Sequence, residues 1–183
     1  MSDILTLEQR HQCMSHIRGK NTKPEMIVRH ALHSAGFRYR LNVHTLPGTP
    51  DIVLRRYRTV IFVNGCFWHG HRGCRFATTP KSNIDFWKTK IRNNQLRDEA
   101  TVQYLEVLGW KVVTIWECQL KKSNLHSTMT DMIVKIRQNE VDYAAEQSKR
   151  RKNNAEFRAI LKERRIRYEE TRKELINTGL CVL

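Results

Sequence analysis

The alternation of apolar and polar residues predicts a sheet in the first half of the chain. Residues 37–43, "FRYRLNV", alternate with the period of two that is typical of a half-buried strand. Residues 51–54, "DIVL", and 59–63, "TVIFV", are short runs rich in β-branched residues, and "RRYR" between them suits a turn. The three segments predict strands of one central sheet.

Capping signals predict helices before this sheet. Thr6 and Thr22 are each followed, three residues later, by the Gln or Glu of a capping box, and Pro24 fits an early helical position. Gly19 and Gly36 lie where helices of about a dozen residues would end.

A third helix and a further strand are predicted after the sheet segments. The helical region opens at Ser82 and extends to Leu108, with Gly109 as its stop. It leads into the strand-like residues 111–117, "KVVTIWE". A helix that leads into a buried strand indicates an α/β protein with a central mixed sheet flanked by helices.

The composition changes near Ala144, which predicts one domain over residues 1–140 and a basic helical extension over 141–183. Residues 144–183 contribute +5 to the net charge, and residues 1–143 contribute +10. We expect the extension to dock on the domain or on a second copy through a thin apolar stripe with helical spacing. The stripe consists of Phe157, Leu161, Tyr168 and Leu175.

The charge balance favours a nucleic-acid partner, although a generally basic protein is the alternative. The chain has 33 Lys and Arg against 18 Asp and Glu, a net charge of +15. No apolar run approaches the roughly 18 to 20 residues of a membrane span, and the N-terminus does not resemble a signal peptide. We therefore expect a cytoplasmic, nucleoid-associated protein without a membrane partner.

The stretch "VNGCFWHGHRGC", residues 63–74, predicts a zinc site. Cys66, His71 and Cys74 form a C-x4-H-x2-C pattern, and Cys118 after the last predicted strand offers a fourth ligand. Thiolates and a neutral imidazole suit a closed tetrahedral Zn²⁺ site. The five cysteines are an odd number in a chain without an export signal, so the alternative is buried thiols rather than a disulfide framework.

The segment "LPGTPD" places the Asp51 carboxylate at the start of a predicted strand, where a Mg²⁺-dependent nuclease would keep a metal ligand. A Pro-Asp pair that only starts a turn is the alternative. The acid-x-Lys pair usual at the end of the next strand is missing, because the sequence there is Val63-Asn64-Gly65. His69 can replace it as a base, with Asp98 holding its tautomer; otherwise Asp98 is a solvated helical residue.

Four blocks occur in this order: "PGTPD", "GCFWHGHRGC", "FWKTKIRNNQLRD" and "LGWKVVTIWEC". On them, the chain from about Arg10 to Leu120 resembles the very short patch repair (Vsr) DNA mismatch endonucleases. The resemblance implies a restriction-endonuclease-like fold with a structural zinc ion. It also implies Mg²⁺-dependent, strand-specific nicking of double-stranded DNA on the 5′ side of the thymine in a T:G mismatch, with mismatch-repair proteins as further partners.

The resemblance also implies roles for individual residues. Asp51 matches the Mg²⁺ ligand, helped by the backbone carbonyl of Val63, and His69 matches the catalytic base with Asp98 behind it. Glu25 matches an active-site glutamate but is also the third residue of a capping box, so both roles stay open. The matched zinc ligands are Cys66, His71, Cys74 and Cys118.

Aromatic residues of the same blocks match a wedge that family members insert beside the mismatch from the major groove: Phe67, Trp68 and Trp87. Met14 matches a residue inserted from the minor groove, and a buried helical Met is the alternative. Rings can replace the stacking that a distorted step loses.

Two departures from the family pattern are Asn64, where a His is frequent, and an extra Gly73 between two zinc ligands. Asn64 cannot carry a proton, which removes any acid-base role from that position. Two other functions stay open from the sequence: a zinc-stapled module that binds distorted DNA without cutting it, and a restriction-type endonuclease that cuts matched DNA.

Overall fold

The computed structural model describes residues 6, 8, 9, 12, 15, 16, 19–78, 80, 82–152 and 154–178, and of residues 150–152, 154–157 and 175 the backbone only. These residues form helices around a mixed sheet. The helices are α1 (Lys23–Ser34), α2 (Ile84–Val107), α3 (Lys122–Lys152) and α4 (Asn154–Asn177). The strands are β1 (Arg40–Leu41), β2 (Ile52–Leu54), β3 (Thr59–Asn64) and β4 (Lys111–Trp116).

The sheet has the strand order β1-β2-β3-β4. The pairs β1–β2 and β2–β3 are antiparallel, whereas β3 and β4 are parallel, with Val63 opposite Ile115. A 3-10 turn, Arg55–Tyr57, followed by Arg58 in the left-handed region at φ 48°, closes the β2–β3 hairpin. The parallel pair is joined through α2, so the predicted α/β class with a mixed sheet is confirmed.

Two apolar layers cover the two faces of the sheet. Because strand residues alternate between faces, Ile52 and Leu54 pack into the larger layer with α1 and α3, whereas Val53 packs on the other side. That second layer joins Val53 and Val60 to Leu105 of α2 and to Trp110. The sheet therefore lies between α1 and α3 on one face and α2 on the other.

The strand predicted over residues 37–43 is wrong in extent, because only Arg40 and Leu41 pair with β2. The Phe37 N–H is used by the end of α1, where it donates to the Leu32 carbonyl in a Schellman motif. Asn42 has φ 45°, which ends the extended backbone. The first residue of the alternating segment therefore belongs to the helix C-cap, and a left-handed residue ends the strand on the other side.

Both ends of α1 follow the prediction. Thr22 is its N-cap with both hydrogen bonds of the capping box, and Gly36 follows its last turn at φ 82°. The capping box at Thr6 is also present, since Thr6 and Gln9 exchange two side-chain to backbone hydrogen bonds. By contrast, α2 begins after Asn83, which has φ 51° and makes no side-chain capping bond, rather than at Ser82.

The C-terminal part is helical, as the sequence predicts, and α4 packs against the C-terminal end of α2. The Tyr168 ring lies 5.5 Å from the ring of Tyr104, whose hydroxyl donates to the Thr171 carbonyl at 2.6 Å. Leu161 of the predicted apolar stripe is 46% exposed. α3 runs without a break across residue 140, and the division of the chain there stays a prediction. Among the residues described, no helix has the length and apolar character that a membrane span requires.

Candidate active site and metal centre

Asp51 lies directly before β2, and its side chain reaches across to β3. The Val63 N–H donates to Oδ2 of Asp51 at 2.8 Å. The loop before Asp51 is held close to α2, since a Cβ placed on Gly48, which has φ 68°, would be 2.3 Å from Cγ2 of Thr101. Any larger residue at position 48 would push this loop away from the helix.

Burial raises the pKa of the Asp51 carboxyl above its ordinary value, because desolvation penalises the charged form. The hydrogen bond from Val63 opposes this shift, and the Glu25 carboxylate adds to it through like-charge repulsion. The Arg29 guanidinium and His69 lower the pKa again. Asp51, Glu25, Arg29 and His69 are therefore one electrostatic group, although three different segments supply them.

Glu25 is buried, with 4% exposure, and its carboxylate is fully engaged. Its Oε1 accepts from the Thr22 hydroxyl at 2.9 Å, and its Oε2 accepts from Nη2 of Arg29 at 2.6 Å and from the Asn21 N–H at 3.1 Å. The capping role is confirmed. The same carboxylate also acts on Asp51, so capping does not remove it from the candidate active site.

Arg29 belongs to this group and is absent from the sequence prediction. It is 6% exposed, and its Nη1 donates to Oδ1 of Asn21 at 2.6 Å. Its Nε, by contrast, is buried without a hydrogen-bond partner among the residues that the structure describes. The available signal was its i,i+4 spacing from Glu25, which places the two side chains on one helix face.

His69 and Asp98 form the closest polar pair of the site, with Nδ1 of His69 2.5 Å from Oδ2 of Asp98. An ionised carboxylate only accepts hydrogen bonds, so the imidazole proton lies on Nδ1 and the lone pair of Nε2 is left for chemistry. Both side chains are partly exposed, at 26% and 30%. The sequence prediction that Asp98 stands behind His69 matches this arrangement.

Helix α2 holds the whole loop that carries His69. Asn94 donates to the Trp68 carbonyl and Gln95 donates to the Gly70 carbonyl, both at 2.8 Å. Gly70 has φ 58°, and a Cβ there would lie 2.6 Å from Cγ2 of Ile91. One face of α2 thereby determines the position of the loop on both sides of His69.

The predicted wedge residues form one cluster of half-buried rings. Phe67 lies 5.1 Å from Trp68 and 5.2 Å from Trp87, and the two tryptophans are 5.9 Å apart, all in edge-on geometry. Phe86 extends the cluster at 5.3 Å from Trp87 and is 58% exposed. Phe86 was missed in the sequence, although it directly precedes Trp87. Met14 lies outside the described residues.

The four predicted zinc ligands converge. The ligand atoms of Cys66, His71, Cys74 and Cys118 all lie within 4.8 Å of one another. Nδ1 of His71 is 3.6 Å from Sγ of Cys66 and 3.4 Å from Sγ of Cys118. Tetrahedral Zn²⁺ bonds to sulfur and nitrogen imply a separation of about 3.6 Å. The donor set and its spacing therefore fit a metal ion of this type.

Neighbouring groups support this metal centre. The His71 ring stacks on Trp116 at 4.0 Å with 3° between the planes. Gln119 accepts from the Trp116 N–H at 2.8 Å, which stabilises the turn that carries Cys118. Burial raises the pKa of the Cys66 thiol to about 12, and the Phe76 N–H lowers that of Cys74. A bound cation would be needed to hold Cys66 as the thiolate.

The two departures lie beside these sites. Asn64 is the buried last residue of β3, and Gly73 adopts φ 69° inside the metal-binding loop. A glycine takes this conformation at low cost, so the extra residue is accommodated without separating His71 from Cys74.

Comparison with known proteins identifies the family. The family model of the DNA mismatch endonuclease Vsr matches residues 2–75. The chain is 50% identical over 120 residues to the Type II nicking enzyme V.XorIIP of Xanthomonas oryzae pv. oryzae, covering 66% of this chain and 88% of that protein. The Type II nicking enzyme V.NmeAIP of Neisseria meningitidis is also 50% identical, over 121 residues that cover 66% of this chain and 86% of that enzyme.

A third relative carries the family's own name. The DNA mismatch endonuclease Vsr of Escherichia coli is 37% identical over 121 residues, which cover 66% of this chain and 77% of that enzyme. Together with the paired His69 and Asp98, the partly buried Asp51 and the Cys/His cluster, these matches show that the chain belongs to the Vsr DNA mismatch endonuclease family and is a DNA endonuclease.

Proposed function

We propose that this endonuclease requires Mg²⁺ and nicks one strand of duplex DNA on the 5′ side of the thymine in a T:G mismatch. The observation that carries the proposal is the placement of His69. Its ring is held by Asp98, it lowers the pKa of the partly buried Asp51 carboxyl, and it directly follows two rings of the aromatic cluster. The proposed base and two of the rings proposed to open the base stack thus lie on one loop.

The donor set around Asp51 fits a hard cation. A carboxylate that is desolvated next to a second carboxylate is destabilised as an anion, and a cation offsets both effects. Asp51 and the backbone carbonyl of Val63 would hold Mg²⁺, which commonly keeps several water ligands. The ion supplies charge stabilisation for the scissile phosphate. Glu25 is the second acidic residue of this centre, held in place by Arg29.

His69 is the general base in this proposal. Asp98 accepts the hydrogen bond from Nδ1, which leaves Nε2 to take a proton from the attacking water. The water oxygen then bonds to phosphorus while the bond to the leaving sugar oxygen breaks. Asp98 stabilises the imidazolium that forms, as an adjacent carboxylate does for a histidine base.

Mismatch selection is assigned to Phe67, Trp68 and Trp87, with Met14 acting from the minor groove. A mismatched step costs less to unstack than a matched one, and aromatic rings replace part of the lost stacking. The names of the relatives agree with a mismatch endonuclease and with nicking rather than double-strand cutting.

The Cys66, His71, Cys74 and Cys118 cluster is assigned to structural Zn²⁺. The ion would connect the loop after β3 to the turn after β4, and so hold both the rings and His69 in place. We further propose a restriction-endonuclease-like fold for residues 1–140, with residues 141–183 as an extension. DNA with a T:G mismatch is the proposed substrate, and mismatch-repair proteins are proposed partners.

A nicking assay on duplexes labelled on one strand at a time tests this function. We expect cleavage of the thymine strand of T:G duplexes with Mg²⁺, and none of matched duplexes or in Mg²⁺-free buffer. Cuts in both strands of matched DNA would instead support a restriction-type enzyme. Absence of cleavage from every duplex with Mg²⁺ would refute the proposed reaction.

A further inference from the structure

The surface of α4 separates its charges into two flanks. With 3.6 residues per turn, five cations project within about 100° of one another, and three carboxylates project from a sector about 130° away. The basic flank consists of Arg158, Lys162, Arg165, Arg172 and Lys173. The acidic flank consists of Glu163, Glu170 and Glu174.

The cations of the basic flank differ from the other arginines of this helix. Arg164 pairs with Glu146 at 3.7 Å, and Arg167 pairs with Glu163 at 2.8 Å. No cation of the basic flank has a carboxylate within 4.0 Å among the side chains that the structure describes. Glu169 is the described acid on that flank. Most of the flank's positive charge is therefore available to a partner.

Helix α4, which carries the basic flank, packs against α2. Tyr168 and Thr171 contact Tyr104 near the end of α2. Arg164 covers the turn after α2 so closely that a Cβ on Gly109 would lie 2.6 Å from its Nη1. The basic flank thus has a defined position relative to the active site.

Helix α2 carries both Trp87 of the aromatic cluster and Tyr104, which α4 contacts. The distance between the cluster and this contact can therefore be read along α2. Trp87 and Tyr104 lie seventeen residues apart on this helix, which corresponds to about 26 Å at 1.5 Å per residue. The basic flank itself extends for about 22 Å from Arg158 to Lys173. For a duplex whose axis runs along α2, 26 Å at 3.4 Å per base pair places the contact between α4 and Tyr104 about 8 base pairs from a base step at the cluster.

We propose that the basic flank of α4 binds the phosphate backbone of the substrate duplex about 8 base pairs from the nicking site. DNA is the partner because the enzyme acts on DNA, and a row of cations at the surface, four exposed and Arg172 partly exposed, matches a row of phosphates. Such contacts position the enzyme and add affinity without reading sequence. The proposal rests on DNA as substrate and is independent of the T:G specificity proposed above.

The test compares two lengths of mismatched duplex with the full chain. In a duplex of about 12 base pairs centred on the mismatch, each arm is about 20 Å long and ends before it reaches the contact between α4 and Tyr104. In a duplex of about 40 base pairs, both arms extend beyond this contact. The test variant replaces all five cations of the basic flank by Gln, and the control variant replaces the three carboxylates of the acidic flank by Gln.

We expect the test variant to bind the long duplex about tenfold or more weakly at about 0.1 M salt, with a salt slope shallower by about 2 to 4 units. Its affinity for the short duplex and its nicking rate on that duplex should stay within about twofold of wild type. The acidic-flank control should not weaken binding to the long duplex. A variant with Arg158, Arg165 and Arg172 changed to Lys should retain wild-type binding, because the charge remains.

Three results would overturn the proposal. Wild-type binding that is equally tight and equally salt-dependent for both lengths would show that the long arms make no contact. Unchanged binding of the long duplex by the test variant would assign the flank to a different partner, such as an acidic protein. An equal loss of affinity for the short and the long duplex would place the effect at the active site. Nicking of the short duplex by the wild-type protein tests the proposed function separately.

Discussion

Nδ1 of His69 lies 2.5 Å from Oδ2 of Asp98, which joins the loop after β3 to the middle of α2. The same stretch of α2 holds the backbone of that loop through Asn94 and Gln95. The helix therefore orients the imidazole through its ring and through the two peptide groups beside it. A base held in this way has a defined tautomer before substrate binds.

Asp98→Asn should lower the nicking rate about 10²- to 10⁴-fold, because an Asn can donate to Nδ1 and leave the proton on Nε2. His69→Ala should give a loss in the same range, and the double variant should lose little more than either single one. Single-turnover nicking of a T:G duplex measures this, with the exposed Asp85→Asn of the same helix as control. Losses that simply multiply in the double variant would contradict a shared role.

Asp51→Asn should reduce nicking by at least about 10³-fold, because it removes the charged ligand expected to hold Mg²⁺. Binding to the mismatched duplex should change by no more than about threefold, since the aromatic cluster is untouched. Fluorescence anisotropy and nicking on the same duplex provide the comparison. Retained nicking at ordinary Mg²⁺ concentration would refute the proposed metal centre.

Asp51 should also cost the metal-free protein stability at neutral pH. Its folded-state pKa is raised above the ordinary 3.8, so the folded protein binds this proton more tightly than the unfolded chain does. The resulting contribution to the free energy of unfolding is present below pH 3.8 and is lost as the pH rises through the raised pKa. We expect Asp51→Asn to raise Tm at pH 7.5 in Mg²⁺-free buffer, with the gain shrinking on acidification. A lower Tm for this variant at pH 7.5 would contradict the shift.

Cys118→Ser should lose the metal ion and fold stability together, because four ligands from two segments close one site. Wild-type protein purified without chelators should contain one zinc per chain by elemental analysis. Cys181→Ser, outside the ligand pattern, serves as control and should keep the ion. A wild-type stoichiometry of zero would return the four side chains to an ordinary packing role.

Arg29→Gln should lower the free energy of unfolding by about 3–5 kcal/mol, because it leaves the buried Glu25 carboxylate without its charged partner. Urea unfolding measures the loss, and the exposed Arg40→Gln should stay within about 0.5 kcal/mol of wild type. The double variant with Glu25→Gln should recover part of the stability. An equal loss from Arg40→Gln would show that the effect is one of net charge.

The position of Phe37 shows how far local patterns predict this fold. The capping box at Thr22 and the stop at Gly36 follow from neighbouring residues and were predicted correctly. The strand over residues 37–43 was not, because Phe37 has a second local use in the helix C-cap. When a strand pattern and a helix C-cap both require the same backbone N–H, the periodicity of the sequence alone does not decide which of them forms.

The sequence by itself determined the chemistry that is available here: the Cys/His pattern, the Pro-Asp entry to β2, the aromatic pairs, the charge and the family resemblance. These are properties of residues close together in the chain, where spacing and residue type carry the information. The pairing of His69 with Asp98 was first inferred from residue chemistry and was also implied by the resemblance, and the two side chains are in contact in the structure.

Only the tertiary structure decided which distant groups act on one another. Asp51 is joined to Glu25 and Arg29 through packing of α1 against the sheet, and α4 is joined to the far end of α2 through Tyr104. Such contacts depend on the register of the strands and on which face of each element is buried. Residues far apart in sequence determine both of these together. The raised pKa of Asp51 is the physical consequence, since burial and like charge arise only when the chain is folded.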